Sequence, residues 1–203
     1  MQNQLEKRYY LNNLDYKDWI RYYEIIKSVL KYDSRHILDL GTGSGFLTKA
    51  LMAKAESLIL MDYNDNLEPD IVGDIREYQP VLERRFDTVI ASEILEHVKL
   101  HEVRNVMDNI YQYLIPRGKV IITVPHKNPF ISICTVLNTD FPLYIIIPRI
   151  RKKVPVEKID KYHCWEIGYG AKTKEVEAIF KSSGFTILEY KNIPHHDYWV
   201  LSK

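Results

Sequence analysis

The residues best suited to chemistry begin at 37–45, ILDLGTGSG, where an apolar run ends in Asp39 and three glycines follow at alternate positions. Glycines there let the backbone approach a ligand closely and offer N–H groups at a helix start. A dinucleotide fingerprint would need a further glycine three positions after Gly43, and Phe46 stands there, so that motif fits poorly. Asp62 closes a second apolar run, LILMD; at the carboxyl end of a strand its carboxylate can accept both hydroxyls of a ribose. Asp74 follows in IVGDIRE. Taken singly, either of these aspartates reads as a turn or cap residue. Three acids in register behind a glycine turn read as a site for a nucleoside-type ligand.

A second group lies in 86–98, FDTVIASEILEHV. Glu93, Glu96 and His97 have i, i+3, i+4 spacing, so on a helix they share one face and can offer two carboxylates and an imidazole to a divalent cation. The plainer reading is a loop glutamate and a hydrogen-bonding histidine with no metal, and it is the one expected here, with activity that survives a chelator. In 162–170, YHCWEIGYG, His163 and Trp165 either close over an acceptor or serve as a structural histidine and a core tryptophan. His195 and His196 read as surface turn residues.

The elements that must position these groups follow from periodicity. Residues 14–31 carry apolar side chains at helical spacing. Short apolar runs at 36–40, 57–61, 86–91 and 118–124 then alternate with segments of helical period at 45–55 and 101–114. That alternation predicts crossover units and a parallel sheet covered on both faces. Pro116-Arg117-Gly118 is expected to turn the chain into the fifth strand. A helix over 173–183 stops at Gly184, and strands at 185–191 and 198–202, joined through Pro194 and His195, are expected to pair antiparallel. The fold class is therefore doubly wound α/β. We expect one domain over 1–203, with an N-terminal helical segment at 1–33 and an insertion or lid at 126–170, punctuated by proline and too short to own a core.

Composition bounds the function. The chain has 203 residues, 46% hydrophobic and 27% charged, with a formal charge of +1. This excludes a disordered chain and gives nucleic acid no polycationic track. Two cysteines, Cys134 and Cys164, make neither a disulfide framework nor a four-cysteine zinc site. The N-terminal residues carry no signal-peptide pattern and no apolar run reaches membrane-spanning length, so a cytoplasmic protein is expected. Within the insertion, Phe130, Ile131, Ile133, Val136 and Leu137 are expected to need cover. With Arg149, Arg151, Lys152 and Lys153 they make 129–153 a region for peripheral lipid contact, a partner, or phosphate.

The D-x-G-x-G-x-G run at 39–45 resembles the first motif of the class I S-adenosylmethionine-dependent methyltransferases, and the resemblance runs from about residue 35 to 124, more loosely to the end. It implies a Rossmann-like, mostly parallel seven-stranded sheet and S-adenosylmethionine as cofactor. Asp39, Gly41, Thr42 and Gly43 would then hold the methionine part, Asp62 the ribose and Asp74 the adenine amino group. Tyr63 would lie beside the adenine, with Ile75 packing on the ring. SEILEHV is similar to a stretch of many small-molecule methyltransferases; it implies Ser92 and Glu93 under the methionine end, and Glu96 and His97 near the transferring methyl. HCWEIG resembles a bacterial methyltransferase subgroup. His97 and His163 are the acceptor-side candidates, for a small-molecule or glycan-type acceptor methylated at oxygen. Two rivals remain. The 2′-O-methyltransferases of small-RNA 3′ ends carry a similar E-x-x-E-H set with a further histidine, which His126 or His163 would supply, and so imply a metal-dependent RNA enzyme. A cofactor-binding regulatory or scaffold protein without turnover is the other.

Overall fold

The structure is a computed structural model that describes residues 6–12, 14–127, 130–136, 142–148 and 162–203, with 130–136 and 142–148 described by backbone alone. Two helices open it, α1 (Lys7–Asn12) and α2 (Tyr16–Lys31). The Asp15 carboxylate accepts the N–H groups of Lys17 and Asp18, and Asp18 Oδ2 accepts the Asp15 N–H at 3.0 Å. This reciprocal cap satisfies donors that a helix start leaves open. The other oxygen of Asp18 accepts Arg21 Nη2 at 2.6 Å, so the cap also fixes an arginine one turn along.

The sheet is then built from β1 (His36–Leu40), β2 (Ser57–Asp62), β3 (Ile71–Val72), β4 (Phe86–Ser92) and β5 (Leu114–Pro125), with α3 (Phe46–Met52) and α4 (Val103–Tyr113) as crossovers. The chain continues through β6 (Phe130–Val136), β7 (Pro142–Pro148), β8 (Glu166–Ile167), β9 (Gly170–Ala171), α5 (Thr173–Ser182), β10 (Thr186–Ile193) and β11 (His196–Ser202). The seven-stranded order is β10-β11-β5-β4-β1-β2-β3, and only β11 runs antiparallel to its neighbours. Strand order reverses between β1 and β4, which opens a crevice at their carboxyl ends.

Alternation along the strands sorts the core into two faces. Ile37, Ile90, Ile121, Tyr198 and Val200 pack with α2 and α3 through Ile25, Val29, Leu47 and Leu51. Leu38, Leu40, Val89, Val120, Ile122, Trp199 and Leu201 meet α4 and α5 through Val106, Ile110, Val176 and Phe180. Burial on both faces is why the central strands read as nearly continuous apolar runs.

Several expectations change in detail. The two-residue β3 and the short α1 fall below what periodicity can reveal. Pro116–Gly118 is a bulge inside β5 rather than a turn before it: Leu114 pairs with Phe86, and the register resumes at Thr88 with Lys119. Arg117 takes φ 65° there, the extra-residue geometry that lets a strand bend without ending. The insertion holds an antiparallel pair, β6 with β7, in which Pro142 and Pro148 stand at the two ends of β7. Side chains of Phe130, Ile131, Ile133 and Val136, and the expectations for Leu137, Arg149, Arg151, Lys152 and Lys153, lie outside what is described. Among the described residues no helix is long and apolar enough to cross a membrane.

Candidate active site

A cleft of about 750 Å³ opens at the carboxyl ends of β1, β2 and β4. The residues named above for the cofactor and the acceptor line it: Asp39 in β1 with Gly41, Thr42 and Gly43 after it, Asp62 at the end of β2 with Tyr63 after it, Asp74 and Ile75 after β3, Ser92 at the end of β4 with Glu93 and His97 after it, and His163. One sheet edge thus gathers residues from five segments.

The first loop is held from below. Asp62, buried at 6% exposure, accepts the Thr42 N–H at 3.0 Å on one oxygen and the Asn64 N–H at 3.0 Å on the other. Each oxygen retains a lone pair for a hydroxyl donor. Burial raises the Asp62 carboxyl and these N–H groups oppose the shift. Asp39 is buried against α3, with the Thr48 hydroxyl 3.4 Å away. Its burial, opposed by Thr48 and reinforced by the Asp62 charge, lifts its pKa to about 7. Asn105 and Asn109, one turn apart on α4, hold the carbonyls of Arg76 and Ile75 at 2.7 and 3.2 Å and so fix the third loop. Arg76 grips the Asp74 carboxylate with Nε and Nη2 and holds it below the usual carboxylate range.

Two residues on the cofactor side escaped the sequence reading. Arg21 reaches from α2 into the cleft, donating to Ser92 Oγ at 2.6 Å, and its Nε is buried with no hydrogen-bond partner. His196 is buried at 6% exposure, not at the surface as expected; its Nε2 lies 3.4 Å from Glu93 Oε2. The correction has a simple cause. The hairpin turn ends at His195, which takes φ 64°, and His196 is already the first residue of β11, flanked by β5 and β10. Burial would raise the Glu93 carboxyl, but His196, then Arg21 and the Thr123 hydroxyl at 2.9 Å, outweigh it and hold it at about 2.

The spacing of Glu93, Glu96 and His97 does not become one helical face. Glu93 leaves β4 with φ 56°, and Leu95–His97 forms a single 3-10 turn. Glu93 faces Thr123 and His196, while His126 stands apart, 2.6 Å from the buried Asp197. Glu96, His97 and His163 do converge: one ligand atom from each lies within 4.8 Å of the others, a spread that could close on a divalent cation. His97 Nδ1 donates to the Tyr162 carbonyl at 3.1 Å. Both Glu96 oxygens are buried without a hydrogen-bond partner. Burial, then the charge of Glu93, push its carboxyl well above the usual range.

A family model described as a methyltransferase domain matches residues 16–190. The chain belongs to the methyltransferase-domain family. Its class is that of the S-adenosylmethionine-dependent enzymes with the Rossmann-like sheet. Solved structures agree in fold. A Mesorhizobium loti S-adenosylmethionine-dependent methyltransferase is 16% identical, with TM-score 0.59, over 89% of this chain and 97% of that one. The Burkholderia thailandensis 1,6-didemethyltoxoflavin-N1-methyltransferase, bound to its acceptor and S-adenosylhomocysteine, is 15% identical, with TM-score 0.59, over 90% and 76%. The N-methyltransferase NodS of Bradyrhizobium japonicum, in complex with S-adenosylhomocysteine, is 13% identical, with TM-score 0.58, over 89% and 86%. No curated protein matches significantly.

The residues present in this methyltransferase fit the cofactor. Arg21 Nε is a buried polar atom without a hydrogen-bond partner at the cleft wall, and a Cβ on Gly43 would meet no atom within 4 Å. An orphaned guanidinium N–H suits the carboxylate of a methionine moiety, while Asp39 and Glu93 suit its ammonium. Asp62→Ala is expected to weaken binding of S-adenosylhomocysteine by about 1.5–3 kcal/mol, the scale of a hydrogen bond to a charged group. Calorimetry on the folded variant checks this, and unchanged affinity would leave Asp62 with its loop-holding bonds alone.

Proposed function

We propose that this methyltransferase moves a methyl group from S-adenosylmethionine to a hydroxyl of a small-molecule or glycan-type acceptor, in the cytoplasm. The observation that carries the reading is the division of one cleft into two chemistries. Its inner part holds Arg21, Asp39, Asp62 and Glu93, charges that match an amino acid and a ribose. Its other part ends in His97 and His163, groups that can take a proton from a weakly acidic nucleophile. The cofactor, when bound, supplies an already activated methyl group. What this chain adds is alignment: Arg21 and Ser92 hold the amino-acid end, Asp62 the ribose, Asp74 and Ile75 the base, and the histidines orient the acceptor. The Burkholderia thailandensis neighbour, named for and bound to 1,6-didemethyltoxoflavin, supports a small acceptor.

Calorimetry with S-adenosylmethionine and S-adenosylhomocysteine, followed by transfer of a labelled methyl group to panels of hydroxylated small molecules, glycans and RNA, tests the reading. Binding of both ligands and label on a hydroxylated small acceptor are expected. Label on RNA alone, lost on chelation, would favour the RNA enzyme, and binding with no transfer to any panel the regulatory protein.

Asp39 adds a pH signature. A carboxyl at about pKa 7 in the free protein is about half protonated at neutral pH, and an ammonium bound beside it favours the charged form. Binding of S-adenosylhomocysteine is therefore expected to release up to about half a proton at pH 7, with affinity falling below that pH. The sign for folding is opposite. The raised pKa makes the contribution of Asp39 to stability full below its unfolded value and lost as pH rises through about 7, so the free protein loses melting temperature there. Calorimetry in buffers of different ionisation enthalpy measures the released proton. Asp39→Asn should abolish it, and its persistence in that variant would assign it to another group.

A further inference from the structure

At the acceptor end of the cleft, one imidazole stands between two carboxyl groups. His163 Nδ1 lies 2.9 Å from Glu166 Oε1. A carboxylate only accepts, so Nδ1 carries the ring proton and the lone pair lies on Nε2. Nε2 is 4.0 Å from Glu96 Oε1, and both Glu96 oxygens are buried without a hydrogen-bond partner. His163 and Glu96 line the cleft, whereas Glu166, 6% exposed, stands behind the ring. The backbone holds this geometry: Cys164 N–H donates to the Glu96 carbonyl at 2.7 Å, and Glu166 N–H to the Tyr169 carbonyl at 2.8 Å.

We propose that Glu166 is the positioning residue for His163, gripping Nδ1 so that Nε2 presents its lone pair to the acceptor hydroxyl and takes its proton. The inference rests on the methyl-transfer reading and deepens it. A hydroxyl that donates to Nε2 lies beside Glu96, whose carboxyl burial and then Glu93 push well above the usual range. As the acceptor oxygen bonds to the methyl carbon, the electron pair of the broken S–C bond stays on sulfur, and the hydroxyl proton passes to Nε2. The imidazolium so formed is compensated by Glu166 and later returns the proton to solvent. Among the described residues, the charged and titratable groups against the ring are Glu96, Glu166 and His97, whose ring centroid lies 4.9 Å from that of His163. Lys127 Nζ stands 3.8 Å from Glu166 Oε2, while Glu93 and Arg21 act through Glu96. A site that asks the acceptor for a donated proton selects hydroxyls over tertiary amines.

The test needs no acceptor. In protein labelled with 15N-histidine and saturated with S-adenosylhomocysteine, long-range 1H–15N correlation spectra are expected to show His163 as the Nδ1–H tautomer. In Glu166→Gln the second tautomer should appear beside the first. Glu166→Asp should restore the Nδ1–H tautomer in part. Carbethoxylation of His163 by diethyl pyrocarbonate, read by peptide mass spectrometry, should slow in Glu166→Gln, because part of the population then presents N–H at Nε2, with S-adenosylhomocysteine affinity unchanged. An Nε2–H tautomer in the unaltered protein, or a tautomer balance indifferent to Glu166→Gln, overturns the proposal, and the first holds even if the variants fail to fold. Micromolar zinc that displaces the Nε2 signals of both His97 and His163 would make the cluster a metal centre and overturn it too. Failure of S-adenosylhomocysteine to bind at all is a separate outcome, and it removes the methyl-transfer reading instead.

Discussion

Gly43→Val is expected to abolish measurable binding of S-adenosylhomocysteine, a loss of more than about 100-fold, while the protein still folds. Two effects add. Gly43 has φ 51°, a left-handed conformation that costs a β-branched residue roughly 1–2 kcal/mol. The larger effect is spatial. A Cβ at this position meets no protein atom within 4 Å, so valine projects into the cleft space that the ligand needs. Gly45→Ala is the control. Gly45 has φ 71° and equally open surroundings, but it stands at the start of α3, outside the cleft lining. It should share the strain and keep the affinity. Gly41 answers to a different constraint, since its Cβ would lie 2.9 Å from Ile94 Cδ1. Calorimetry and thermal melts separate the cases, and a Gly43→Val protein that binds normally would place the cofactor elsewhere.

The sequence revealed the part of this site that hangs on strand ends. In a doubly wound sheet, residues just after a parallel strand face one crevice, so Asp39, Asp62 and Glu93 could be placed from the apolar runs before them. Arg21 could not. It sits in a helix whose periodicity reports only its buried stripe, and its partner Ser92 is 71 residues away. His196 was obscured by its setting, because Ile193-Pro194-His195 reads as a turn and nothing local says that the next residue is already in a strand between two others. Here the period-two pattern His196, Tyr198, Val200 was the available signal, since these residues point to one face. Likewise Glu93, Glu96 and His97 have helical spacing, but a single 3-10 turn lacks the 3.6-residue period that would align them.

Trp165→Ala is expected to cost about 3–5 kcal/mol of stability, the range for a fully buried aromatic, and to displace His163 with it. Of the two readings open for Trp165, the structure places it in the core at 1% exposure, its Nε1–H donating to the Val98 carbonyl at 2.9 Å. Cys164 N–H bonds to Glu96, and Lys127 N–H to the Ile167 carbonyl at 2.9 Å. These ties join the segment to the 3-10 turn after β4 and to the end of β5. Cys164 and Trp165 stand between His163 and Glu166 in the chain, so the tryptophan pins the segment that brings His163 to the cleft. Loss of the ring removes packing and also leaves a buried carbonyl unpaired. Binding of S-adenosylhomocysteine should survive in whatever fraction stays folded, because Arg21, Asp39 and Asp62 stand on other elements. Hydrogen exchange in the unaltered protein supplies the complementary reading. The amides of Cys164 and Lys127 should be equally protected with and without cofactor product, and protection that appears only on binding would support the lid expected over 126–170.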